Sequence, residues 1–198
     1  MKWYSGLSSF AIVCTIAILL LCSCSSRRGD ADQASNSRSR ATTTPLFTSA
    51  DPVVKNQIRN LLSGYFNLNQ ALINDNLAAA KTAAADLLAT SDKFGMSKLT
   101  GEQLDFYFIQ SSKLKTGLVV IRSSTDIEQA RTGLADVSEA LYTVVKAFRA
   151  NKSPLYYQYC PMARNNQGAA WLSATEELVN PYMGHMMLNC GRTQEKLE

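Results

Sequence analysis

The sequence predicts an all-α fold: an antiparallel four-helix bundle with an irregular C-terminal loop segment packed on it. Two observations lead there. Between Asp51 and Phe148 apolar residues recur at three- and four-residue steps, broken only by short capping and turn clusters, and helices joined by short turns pack as antiparallel neighbours. After Asn151-Lys152-Ser153-Pro154 that period stops, and the segment beyond it holds Cys160, Cys190, the only histidine, His185, and four of the six methionines.

The chain opens with an address. Lys2 precedes an uncharged apolar run from Leu7 to Leu21, short for a membrane span and suited to a signal-peptide core. Leu21-Cys22-Ser23-Cys24 resembles the bacterial lipobox, which makes residues 1–24 a lipoprotein signal peptide and Cys24 the lipidated start of the mature chain. The alternative is an ordinary cleaved signal, or an uncleaved anchor, with Cys24 a bystander. From Ser25 to Thr44 the chain is rich in Ser, Arg, Asp and Thr and cannot form a core, so residues 25–50 are expected to be a flexible tether. Residues 51–198 then form one domain. The expected location is the cell envelope, with the protein tied to the membrane by its lipid, on the periplasmic or the surface face of the outer membrane.

Asp51 caps the first helix with Pro52 at its first position, and Val54, Ile58, Leu61, Leu62, Tyr65, Leu68 and Leu72 form its stripe. Asn74-Asp75-Asn76 is a turn and cap. The second helix, ending near Asp92, carries a small-residue stripe of Leu77, Ala80, Ala84, Leu87 and Leu88 that admits a close neighbour. Thr100 and Gln103 form a capping box for the third, with Leu104, Tyr107, Phe108, Leu114, Leu118 and Ile121. The run Leu118 to Ile121 suits a strand by composition, but Thr125 with Glu128 reads as another capping box directly after it. That box starts the cleanest helix: Ile127, Ala130, Leu134, Val137, Leu141, Val144, Val145 and Phe148. Gly133 within it costs roughly 1 kcal/mol relative to Ala. Tyr65, Phe108 and Phe148 read as core, and Glu139 and Lys146 as a solvated face.

Composition removes several functions. The 198 residues are 46% apolar and 18% charged, with a net charge of only +4 and no polybasic run, so a nucleic-acid surface is not expected. Neither a phosphate-cradling loop nor a dinucleotide fingerprint occurs. No Ser-His-Asp order is readable and no carboxylate pair stands out, so the protein is not expected to be an enzyme.

Beyond Pro154, Leu155-Tyr156-Tyr157-Gln158-Tyr159 is aromatic and extended in character, Pro161 turns the chain, Asn165 to Gly168 is loop, and Pro181 and Gly184 interrupt any helix. Trp171 reads as a buried anchor and Arg164 as solvated. Cys160 with Met162, and Met187 with Cys190, are two sulfur pairs able to point at one centre. Thiolate and thioether donors select Cu(I) over magnesium or calcium, and zinc would want more Cys and His. His185, Met183 and Met186 are further donors nearby. An exported Cys pair is most simply a disulfide, worth about 3 to 4 kcal/mol on chain entropy. Spacing alone leaves both readings open.

The blocks Cys160-Pro161-Met162-Ala163, Gly168-Ala169-Ala170-Trp171-Leu172-Ser173, Asn180-Pro181-Tyr182-x-Gly184 and Met187-Leu188-x-Cys190-Gly191 resemble, in order and spacing, a Bacteroidota domain family of unknown function. That family occurs as lipoproteins and appended to periplasmic adaptors of copper and silver efflux pumps. The resemblance implies a helical domain that binds heavy metals, chiefly copper, through the Cys-Pro-Met and Met-x-x-Cys blocks, here Cys160, Met162, Met187 and Cys190, with His185 an auxiliary outside the fixed pattern. It implies Cu(I) sequestration or delivery, with pumping left to a partner such as an efflux adaptor. The alternative is a structural or interaction module stapled by a Cys160–Cys190 disulfide.

Overall fold

The structure, a computed structural model, describes residues 44–198. The signal peptide, lipidation at Cys24 and most of the tether lie outside the described residues. Packed chain begins at Phe47, among the last residues assigned to the tether: its ring sits 5.0 Å from that of Phe148 and its N–H donates to Ala147 O at 2.7 Å. Among the described residues no helix is long and apolar enough to cross a membrane.

Four long helices follow: α1 (Pro52–Ile73), α2 (Leu77–Asp92), α3 (Gly101–Ser123) and α4 (Ile127–Phe148). Each packs on the next, and α1 also packs on α4. Asp51 caps α1 by accepting from Val53 N at 2.7 Å, and the whole expected stripe from Val54 to Leu72 is buried. Asn76 caps α2, accepting from Ala79 N at 3.0 Å. The Thr100–Gln103 box opens α3, whose C-terminal run is helical as expected. At α4 the cap is Asp126 and not Thr125; its Oδ1 accepts from Gln129 N at 2.8 Å. That shift by one residue frees Glu128 for the pairing described below.

Two other expectations change. Phe108 is 64% exposed, because the buried face of α3 runs through Gln103, Tyr107, Ser111, Leu114, Leu118 and Ile121, and the next residue after Tyr107 turns about 100° toward solvent. Lys146 is not on a free solvated face: its Nζ bonds Glu195 at 2.8 Å and Tyr142 Oη at 3.0 Å.

The C-terminal segment is irregular only in part, chiefly over residues 174–191. It forms a three-stranded antiparallel sheet, β1 (Leu155–Cys160), β2 (Ala169–Ser173) and β3 (Arg192–Leu197), in the order β2-β1-β3. Antiparallel edges leave backbone groups unpaired, and here helix side chains meet one of them: Tyr65 Oη accepts from Leu172 N at 3.0 Å and Asn69 Nδ2 donates to Leu172 O at 3.2 Å. The β2 edge is thereby stitched to α1, while β2 also packs on α4. The β1–β2 connection is a left-handed turn, with positive φ at Arg164, Asn165, Asn166 and Gly168. Arg164, expected in solvent, is half-buried with its Nε enclosed.

Candidate metal centre

The ladder between β1 and β3 brings the cysteines together. Tyr159 pairs with Arg192, so one step further the antiparallel ladder sets Gly191 beside Cys160 and Cys190 just beyond. Gly191 passes at φ 140, and a Cβ there would lie 2.8 Å from Tyr159 O and 3.0 Å from the Trp171 ring. Only glycine fits that passage. Trp171 is buried, as expected.

Cys160 is fully buried and Cys190 half-buried; both are free thiols. Their side chains are near neighbours, close enough that Cys160 perturbs Cys190, and the Met162 backbone N–H lies near Cys190. Burial pushes the Cys190 thiol up to about 11, and the nearness of Cys160 adds to the rise. Both effects disfavour the thiolate.

The loop from Asn180 to Cys190 is closed at its base by Asn180. Its backbone N–H donates to Leu188 O and its Nδ2 to Cys190 O, each at 2.8 Å, while its Oδ1 accepts from Tyr182 N at 2.8 Å. Tyr182 Oη donates to Ala170 O of β2 at 2.8 Å. Cys190 N donates to Met187 O at 3.1 Å, closing a turn that places the two residues together.

Met162, Met187 and Met186 are 46%, 40% and 77% exposed. The first two flank the thiol pair in sequence and hold surface thioethers. His185 is exposed in a short 3-10 turn, its backbone N–H donating to Asp75 Oδ2 at 3.2 Å. Among the described residues no three His, Cys, Asp or Glu side chains form a group that could hold a metal ion. What the structure brings together is the thiol pair; Met162 and Met187 lie near it in sequence and are exposed, and thiolate and thioether donors are ones that suit a soft ion better than zinc.

Residues missed by sequence reasoning support this loop. Arg131 on α4 is 2% exposed. Its Nε donates to Pro181 O at 3.0 Å and its Nη2 to Leu72 O at 3.2 Å and to Asp75 Oδ1, while its Nη1 pairs with Glu128. A signal was present: Arg131 follows Ile127 by four residues and precedes Leu134 by three, on the buried side of α4.

Fold and site define a helical domain whose small C-terminal sheet holds a thiol pair. Residues 61–153 match the model of a family described as Protein of unknown function (DUF3347). The match runs from within α1 to the loop before β1, so it spans the helices and stops short of the thiol pair. No curated protein and no solved structure matches the chain.

Proposed function

We propose that the protein is a lipid-anchored cell-envelope protein that binds a soft heavy metal, Cu(I), through the thiolates of Cys160 and Cys190, with Met162 and Met187 as thioether donors. Its role is sequestration or delivery to an efflux adaptor, and binding rather than catalysis. The observation that carries the reading is the proximity of two cysteine side chains distant in sequence, one buried and one half-buried, with exposed Met162 and Met187 two and three residues from them along the chain. The resemblance of the four C-terminal blocks to the copper-associated family supports the same ligands, as does the Leu21-Cys22-Ser23-Cys24 box for the anchor. Metal binding to such a pair displaces both thiol protons, so affinity rises with pH.

The same proximity favours a second reading, a Cys160–Cys190 disulfide that staples β1 to the turn before β3. Free-thiol counting and Cu(I) titration of the reduced chain against a competing chelator separate the two. We expect one tightly held Cu(I) per chain, lost in Cys160→Ser and Cys190→Ser. Thiols that stay blocked until strong reductant is added, followed by no copper uptake, contradict the metal reading.

A further inference from the structure

We propose that Arg131 and Asp75 form a positioning clamp for the metal centre, holding the Pro181–Cys190 loop so that Cys190 stays against Cys160; this deepening rests on the soft-metal reading above. Neither residue is a ligand. Three elements meet at the Arg131 guanidinium: the C-terminal carbonyl of Leu72 on α1, Asp75 in the α1–α2 turn, and the loop carbonyl of Pro181. Glu128, one turn back on α4, fixes the remaining nitrogen. A buried guanidinium is held only when its donors are met, and its planar fork sets several acceptors in one geometry, which lysine cannot reproduce.

Asp75 carries the clamp to the sulfur-bearing stretch. With φ at 53 it aims one carboxylate oxygen at Arg131 and the other at His185 N. Between them Gly184 is wedged at φ 51, where a Cβ would lie 2.2 Å from Asp75 Oδ1 and 2.5 Å from Arg131 Nη2. The loop is thus gripped at Pro181, Gly184 and His185, directly before Met186 and Met187. Its far end returns to Asn180, which holds Leu188 and Cys190 by their carbonyls. Because Asn180 is bonded to Pro181 covalently, the Arg131 contact with Pro181 fixes the same base that fixes Cys190.

The test uses the full chain in detergent, reduced, with two probes: Cu(I) presented against a competing chelator, and phenylarsine oxide, a trivalent arsenical that requires two adjacent thiols whatever the copper reading. Arg131→Lys keeps the charge and loses the fork; Asp75→Asn keeps an acceptor, sits half outside the core, and loses the charge. We expect both variants to keep the wild-type helical signal and to lose about tenfold or more in affinity for both probes, the range typical of outer-shell partners. Folded variants with wild-type affinities, even at lowered Tm, overturn the clamp and leave Arg131 a stability residue. Should Arg131→Lys fail to fold, Asp75→Asn decides, and if both unfold the proposal falls. A wild-type chain that takes the arsenical but not Cu(I) removes the copper reading, while the arsenical comparison still decides the clamp.

Discussion

Gly117 on α3 and Gly133 on α4 touch across the helix crossing, each placed so that a Cβ on it would lie 2.6 Å from the other's carbonyl oxygen. A helix-interior glycine that looks costly in sequence is here what allows the two helices their contact. We expect Gly117→Ala and Gly133→Ala to destabilise the domain by about 1–3 kcal/mol, the usual range for overpacking. Gly101→Ala, with nothing within 4 Å of its would-be Cβ, should be neutral or slightly stabilising. Urea unfolding of the three variants checks the contrast.

The raised Cys190 thiol sets a pH dependence. Its folded value, about 11, lies above the ordinary value of 9.0, so the folded state keeps the proton longer than the unfolded one. The associated stability is complete below about pH 9 and is lost as pH rises toward 11. Alkylation of Cys190 in the reduced, metal-free protein should be slow at pH 8 and accelerate up to pH 11, whereas the unfolded chain reaches its plateau earlier. Equal profiles for folded and unfolded protein would sink this expectation.

Gly191→Ala should damage the thiol pair more than the fold. Its positive φ and the 2.8 Å approach to Tyr159 O mean that a methyl group pushes the chain off β1 beside Cys160, while the helical core lies elsewhere. We expect a largely preserved helical signal, a weakened response to dithiol-specific reagents, and intact reactivity of each thiol toward monofunctional ones.

Glu195 fastens the exposed β3 edge to α4. Burial favours its protonated form, but hydrogen bonds from Lys146 and Tyr142 outweigh that and hold its carboxyl below the usual range. A depressed carboxyl contributes stability that is present above its ordinary value of 4.5 and lost as pH falls through the folded value. Because the pair is about a third exposed on each side, Glu195→Gln should cost less than about 1 kcal/mol at neutral pH. The difference from wild type should shrink in high salt and vanish at low pH in thermal unfolding.

Helices were legible because burial follows a period: every stripe residue expected on α1 is buried, and the cap at Thr100 falls where Gln103 placed it. Phe108 misled because an aromatic at near-helical spacing reads as core even when its angle is one residue off the buried face. The sheet was hidden for a different reason. Only β1 has aromatic strand character; β2 is Ala169-Ala170-Trp171-Leu172-Ser173, and β3, Arg192 to Leu197, is polar and largely exposed. Such strands gain their order from partners: Tyr65 and Asn69 on one edge, Lys146 and Tyr142 on the other. Cys160 and Cys190 stood out by rarity, but their proximity depends on the β1–β3 register, which no local pattern carries. Arg131 went unread because a single arginine in an amphipathic helix is normally a surface residue, and its acceptors lie on three other segments.

Copper K-edge X-ray absorption of the protein loaded with one Cu(I) per chain tests the central claim most directly. A first shell made only of sulfur, reduced in sulfur count by Cys160→Ser or Cys190→Ser and altered by Met162→Leu or Met187→Leu, is the expected result. A shell of nitrogen and oxygen donors, or copper that passes entirely to the competing chelator before measurement, would contradict it.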